Sequence, residues 1–262
     1  MDFSYWKKQS LEKPLFPDIE WSKPENRSHA GKLAIVGGNK LGFAGVAEAY
    51  ATAQAVGAGQ LRVLLPDALK KSIPSTITDA LFAPTNPSGS LSGDAAPDMA
   101  NISAWADGVL LIGDAGRSSE TAILYERFIQ SYTGQLIISR DAVDLVKNSA
   151  RLLVERPDTL LIVSFAQLQK LFQAVYYPKV LTFSMQLTTL VEALHKFTIT
   201  YPISVAVLHR DTLIVASNGE VVTTPWDAPM LIWRGSVAAK AAAYWLWNPS
   251  NPVGAVSTAI IA

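Results

Sequence analysis

The amino-acid sequence predicts an α/β fold: a mostly parallel sheet with helices on both faces and antiparallel strands near the C-terminal end. Three observations lead there. Short, continuously apolar runs recur and stop at glycine or proline, as strands buried on both faces do. Helical patterns separate these runs at short intervals, the mark of strand–helix–strand units. The region 203–224 departs from that alternation, because its three β-rich runs are split by Arg210-Asp211 and Asn218-Gly219.

Residues 1–30 read as an irregular arm. Pro14, Pro17 and Pro24 block regular structure, while Trp6, Leu15, Phe16, Ile19 and Trp21 offer apolar anchors to the body or a neighbouring subunit. Residues 31–262 read as a single domain, without a linker, internal repeat or low-complexity segment. Residues 32–36 (KLAIV) form a strand that stops at Gly37-Gly38, and Ala44–Val56 is an alanine-rich helix stopped by Gly57. Residues 61–65 are the next strand, closed by Pro66-Asp67. Residues 83–98, with Pro84, Pro87, Gly89, Gly93 and Pro97, read as a loop. A strand at 108–112 ends at Gly113-Asp114, and a helix follows at 119–132. Strands at 136–139 and 159–163 are followed by helical patterns at 142–154 and 167–175, and a last helix runs over 236–247.

The 262 residues suffice for a sizeable core without disulfides or metals. Hydrophobic residues make up 49% and charged residues 17%, which excludes a disordered chain. Lys+Arg and Asp+Glu are 22 each, so no general electrostatic grip on nucleic acid or on an anionic membrane is expected. The same neutrality leaves little repulsion against self-association, so a homo-oligomer is expected. Without cysteine, thiolate metal sites, disulfides and cysteine nucleophiles are excluded, which fits a reducing cytoplasm. The N-terminal segment has no apolar run of the signal-peptide kind, and no apolar stretch reaches the ~18–20 residues of a membrane span.

Chemistry is expected beyond the carboxyl ends of the strands, where ligands of open α/β sheets bind. Two glycine-bearing loops lie there. The first, Gly37-Gly38-Asn39-Lys40-Leu41-Gly42-Phe43-Ala44-Gly45, is neither a Walker A loop nor GxGxxG, and reads equally as a tight strand–helix turn. The second is Gly113-Asp114-Ala115-Gly116-Arg117-Ser118-Ser119. In it Ser118 or Ser119 caps a helix, and Asp114 and Arg117 face a ligand or form a surface ion pair.

In this order the two loops resemble the NAD(P)H-hydrate dehydratases of the ribokinase-like superfamily. The likeness is carried by HAGKLAIVGGNKLGFAGVAEAYATAQAVGAGQLRVLLPD and, more loosely, by Gly113-Asp114-Ala115-Gly116. It implies a ribokinase-like three-layer sandwich and a cytoplasmic repair reaction. ADP or ATP with Mg²⁺ phosphorylates the hydroxyl of hydrated NADH or NADPH, and phosphate is then eliminated, a lyase activity. It places substrate contacts at Gly45, Val46, Gly113, Asp114, Gly116, Phe165 and Gln167, and nucleotide contacts at His209, Arg210, Arg234 and Gly235.

The motifs that carry this work have changed. The family's Thr-Pro-His-Pro-Gly-Glu falls on Val163-Ser164-Phe165-Ala166-Gln167-Leu168, so the His and Glu are lost and Gln167 is the nearest polar remnant. Its Val-Leu-Lys-Gly falls on Val207-Leu208-His209-Arg210. Its Gly-Thr-Gly-Asp, an anion hole with a general base, falls on Trp233-Arg234-Gly235-Ser236. A lone serine hydroxyl needs a base of its own. Ser236 is therefore either a replacement at the catalytic position or a helix cap. Two main readings follow: a dehydratase with a remodelled site, and a catalytically silent nucleotide-binding relative. A kinase for another small alcohol faces the same missing base.

Other candidates are few. His29, His195 and His209 lack metal-ligand spacing, and His195 lies in a helical pattern. No Gly-x-Ser-x-Gly elbow is present. Asp141 and Asp144 stand where the family has an Asp-rich strand end, and helix capping explains them as well. Trp233, Trp245 and Trp247 read as core or subunit interface.

Overall fold

Residues 33–36, 109–112 and 160–163 are completely buried. Such runs have no polar face and are stable only when layers cover both sides. The computed structural model describes residues 3–262 and supplies those layers. In chain order the elements are β1 (Trp6–Lys8), α1 (Pro17–Trp21), β2 (Lys32–Gly37), α2 (Ala44–Val56), β3 (Gln60–Pro66), β4 (Ala80–Ala83), α3 (Ala96–Trp105) and β5 (Gly108–Gly113). They continue as α4 (Ser119–Ser131), β6 (Gln135–Ser139), α5 (Asp141–Leu145), α6 (Ala150–Glu155), β7 (Thr159–Val163), α7 (Phe165–Ala174) and α8 (Leu187–Thr200). The last are β8 (Ile203–His209), β9 (Thr212–Ser217), β10 (Glu220–Pro225), α9 (Pro229–Arg234), α10 (Ser236–Trp247) and α11 (Pro252–Ile261).

Among the described residues the strands make one ten-stranded sheet, ordered β1-β10-β9-β8-β7-β6-β5-β2-β3-β4. From β8 to β4 every pairing is parallel, whereas β9 runs antiparallel to both β8 and β10. Asn218 (φ 48) and Gly219 (φ 79) form the hairpin turn that their dipeptide predicts. One core layer packs Met99, Phe128, Leu168, Phe172 and Phe197 from α3, α4, α7 and α8 against the sheet. The opposite layer uses Tyr50, Ile232, Trp245 and Val256 from α2, α9, α10 and α11. The chain leaves β2 toward β3 and β4, then returns to β5 on the other side. The order reverses between β2 and β5, and ligands of such sheets bind at that reversal.

Several local expectations are corrected. The arm is not wholly irregular, because β1 pairs with β10 and α1 packs on α11. The stretch 83–98 is a loop only to Ser92. Ser92 caps a 3-10 turn at Gly93–Ala95, and α3 then starts with Pro97 in its first turn, where a missing N–H costs nothing. The pattern at 142–154 is two short helices separated by a 3-10 turn at Lys147–Ser149. The helix at 236–247 is not the last. Asn251 accepts from the Gly254 N–H (2.9 Å) and opens α11, with Pro252 at its first position. Asn248 therefore ends α10, and Asn251 and Pro252 start α11. No helix of the described residues is long and apolar enough to cross a membrane.

Side-chain contacts also hold the arm to the body. His195 stacks on Tyr5, with ring centroids 3.6 Å apart, and bonds the Gly219 carbonyl through Nδ1 (2.5 Å). Gln9 is 3% exposed and donates to the Ser257 carbonyl of α11 (2.8 Å). Removing it strands a buried acceptor. Gln9→Ala is expected to lower stability by roughly 1–3 kcal/mol, read from the urea midpoint at unchanged slope. A loss below the precision of that measurement would show that the arm is not coupled to the body.

Candidate functional site

The carboxyl ends of β2, β5, β6 and β7 meet at one point. The Gly38 N–H donates to the Gly113 carbonyl (2.9 Å), which ties the β2 and β5 ends together at the order reversal. The chain then turns through Asp114, a non-glycine residue at φ 53. Aspartate tolerates this left-handed region better than most residues. At the end of β6, Arg140 stands at φ 58 and ψ −139. That region favours glycine, and an ordinary residue held there stores about 1–3 kcal/mol.

These two residues are bound to each other. An Arg140 Nη2–H donates to Asp114 Oδ1, and an Nη1–H donates to the Trp233 carbonyl at the end of α9. The other Asp114 oxygen accepts the Gly45 N–H from the first turn of α2 (2.5 Å). The helix N-terminus that the first glycine loop offers to an anion thus already holds one, an internal carboxylate. A Cβ on Gly45 would lie 2.8 Å from Arg140 Nε, and one on Gly235 would lie 2.8 Å from the Gly45 carbonyl. Both glycines are required by this close packing.

Behind the pair, Asp141 accepts the Asp114 N–H (2.6 Å) and the Ala115 N–H (3.1 Å). Burial pushes its carboxyl above the ordinary 3.8; the hydrogen bond from the Asp114 N–H pulls it down and the Asp114 charge pushes it up again. The Tyr125 phenol is fully buried and is also pushed up, by burial first and by the Asp141 charge second. Gln167 completes the cluster. Its Oε1 accepts the Ser164 N–H (2.9 Å) in a capping box at the start of α7. Its Nε2 donates to the Arg140 carbonyl (2.9 Å) and to Asp144 Oδ2 (2.8 Å).

The residues anticipated from the sequence fall into three groups. Gly45, Gly113, Asp114, Gln167 and Gly235 gather around Arg140. Gly116 packs beside Asn39 and Ser90, and Val46 is wholly buried in the core. Phe165 and His209 form a separate, buried pair with ring centroids 4.9 Å apart, and Phe183 lies 4.8 Å from Phe165. His209 Nε2 bonds the Met185 carbonyl (3.1 Å), and Arg210 donates to the Ser184 carbonyl (3.3 Å). The loop before α8 therefore lies over this side. Arg234 is exposed at the end of α9. Ser236 does not cap α10: Gly235 holds that place, and the Ser236 hydroxyl donates back to the Leu231 carbonyl (3.3 Å). Arg140 lies outside the motifs that the sequence offers, though a signal for it is present. It directly follows a buried parallel strand, where a large cation has no core role.

A cavity of about 350 Å³ opens over the cluster, lined by Asp114, Arg140, Asp141, Ser164, Gln167 and Trp233. Beside it runs a groove of about 890 Å³, which includes Arg117, Ser118, Ser119, Asp144, Lys147 and Lys170. Among the described residues no three His, Cys, Asp or Glu side chains converge on a metal position. A magnesium nucleotide needs only one or two carboxylates besides its own phosphates. Asp144, with Lys147, Lys170 and the α4 N-terminus, suits that need. The α10 corner, filled by Arg140, does not.

No family model matches the sequence, and no characterised protein matches it by sequence. Solved structures do match. A ribokinase-like superfamily protein from Enterococcus faecalis V583 superposes with a TM-score of 0.76 at 13% identity, over 100% of this chain and 87% of that one. A hypothetical protein from Streptococcus mutans gives 0.69 at 14%, over 93% and 85%. The ADP/ATP-dependent NAD(P)H-hydrate dehydratase from Bacillus subtilis, co-crystallized with ATP/Mg²⁺ and soaked with CoA, gives 0.62 at 11%, over 94% and 86%. At these identities the likeness establishes the fold, which is ribokinase-like, as the two loops imply.

Two measurements test the cluster. Arg140→Ala leaves the Asp114 charge unpaired and is expected to cost about 1–3 kcal/mol in chemical denaturation. Arg140→Gly is expected to cost about 1 kcal/mol less, because glycine relieves the backbone. Equal losses would contradict the strain. For Asp141, a raised carboxyl holds its proton more tightly in the folded chain than in the unfolded one. Its contribution is complete below 3.8 and is lost as the pH rises through the raised value. The stability of the wild type relative to Asp141→Asn should therefore fall with rising pH across that window. A rise would refute the assignment.

Proposed function

We propose that this protein is a catalytically silent relative of the NAD(P)H-hydrate dehydratases. It keeps a nucleotide-sized groove beside the α4 N-terminus and binds a nicotinamide or adenine nucleotide there without turning it over. The observation that carries this reading is the corner at the start of α10. A transferring phosphate needs open backbone N–H groups and a proton acceptor at that corner. Instead Arg140 bridges Asp114 to the Trp233 carbonyl, and Ser236 offers only a hydroxyl already donated to Leu231. On the adenine side of the reading, His209 and Arg210 are engaged by the loop at Ser184 and Met185. Within the groove, Ser118, Ser119, Lys147 and Lys170 would face the ligand's phosphates, and Asp144 would face their magnesium. When bound, the metal would supply charge neutralisation. The N–H groups at the α4 N-terminus and the lysines would position the anion.

One observation favours a second reading. Asp114 is a carboxylate that reaches Gly45, whose carbonyl touches Gly235. A ligand that drew Arg140 away would leave Asp114 as a proton acceptor in place of the lost base, and the protein would be a working dehydratase.

Calorimetry with ADP, ATP, NADH and NADPH is expected to show binding. Incubation with hydrated NADH, ADP or ATP, and Mg²⁺ is expected to give no recovery of the nicotinamide absorbance, even at high protein concentration. Recovery that disappears in Asp114→Asn would establish the second reading. Absence of binding by all four nucleotides would refute both.

A further inference from the structure

At the opposite end of the sheet lies a cavity of about 350 Å³ whose walls include Arg27, Tyr50, Gln54, Gln60, Arg62 and Trp105. It exists because β4 starts late. β3 begins at Gln60, but β4 joins it only from Val63, paired with Ala80. Successive backbone groups of a strand face opposite neighbours. The Gln60 N–H donates to Gly31 on the β2 side (2.9 Å), and the Val63 N–H donates to Asp79 on the β4 side (3.0 Å). Leu61 therefore directs its N–H and C=O toward the β4 side, before β4 has begun. Its N–H has no partner among the described residues.

Two guanidinium groups flank this gap. The Arg62 guanidinium carbon lies over Trp105, 4.2 Å from the ring centroid, which holds the group in place, and no internal acceptor among the described residues takes its N–H groups. Arg27 sits in a 3-10 turn capped by Asn26, and the Gly59 N–H ties that turn to the start of β3 through the Ala30 carbonyl (3.2 Å). Neither arginine has an ion-pair partner among the described residues. Asp79, the carboxylate in the same wall, is engaged by the Tyr50 hydroxyl (2.8 Å) and the Thr78 hydroxyl (3.0 Å).

We propose that this notch binds a small organic oxyanion, a carboxylate or phosphate ester on a planar body. The oxyanion takes the Leu61 N–H and the two guanidinium edges. The body rests in the notch beside the partly exposed Trp105 ring. The volume stands at the low end of ligand cavities, so the ligand is a single small ring rather than a dinucleotide. The site lies at the amino ends of the strands and is independent of the groove discussed above.

The test is two-dimensional NMR on the full ¹⁵N-labelled chain, titrated with benzoate, phenyl phosphate, inorganic phosphate and neutral benzamide. Benzoate or phenyl phosphate is expected to move the Leu61 amide and the Trp105 indole signals saturably. Inorganic phosphate should bind more weakly, and benzamide should leave both signals in place. Added NADH or ADP should not reverse the shifts, which separates this site from the nucleotide groove. Arg27→Gln and Arg62→Gln are each expected to weaken binding about tenfold at unchanged melting temperature. The proposal is overturned if no anion gives a saturable shift at Leu61, if the double variant binds as the wild type does, or if NADH displaces the probes.

Discussion

One guanidinium group holds the reactive end of this fold closed. Arg140 joins the end of β6 to Asp114 at the end of β5 and to the Trp233 carbonyl near the end of α9, and its guanidinium packs close to Gly45 at the start of α2. Its own carbonyl is held by Gln167 from α7. Five elements thus converge on one residue. The pair is about one-fifth exposed, so it keeps part of its hydration while the surroundings strengthen its attraction. The stored strain at φ 58 is tolerated because so many contacts define the same position.

This arrangement sits at the strand ends of a ribokinase-like fold. The sheet still presents its strand ends and helix N-termini in one place, as parallel α/β architecture requires. What fills that place has changed. A carboxylate and a guanidinium satisfy each other and the nearest free N–H, so an incoming phosphate would have to displace an internal anion. General-base catalysis contributes roughly 10²–10⁴ in rate, and under the proposed reading a serine whose proton is donated to Leu231 would not supply it. The loop before α8 adds a second closure, through His209 and Arg210.

Polar groups also gather away from that corner. The groove along α4 and α5 keeps lysines, serines and a half-exposed Asp144 facing solvent. The notch beside β3 keeps two arginines without counter-ions. The notch follows from geometry, because β4 starts after β3 and leaves a backbone N–H and two charges without partners among the described residues, whereas in the groove Asp144 is held by Gln167 (2.8 Å) and pairs with Lys170 (3.6 Å).

The apolar runs at 32–36, 108–112 and 159–163 determined the parallel strands, because a segment with no polar face has no stable place except between two layers. Asn218-Gly219 determined the last hairpin, because both residues reach positive φ cheaply. The glycines at 37–45 and 113–116 marked the end of the sheet where ligands belong. The partners of those glycines were decided only by the tertiary structure. Nothing in the order of residues tells Arg140 to meet Asp114 or the Trp233 carbonyl, since these contacts join elements 26 and 93 residues apart in the chain. The strand in the arm, and the helix after Asn251, form only because β10 and the α10 face are already there to receive them. Local propensity is written in neighbouring residues; the pairing of charges in a cleft depends on which strand ends the crossovers bring together.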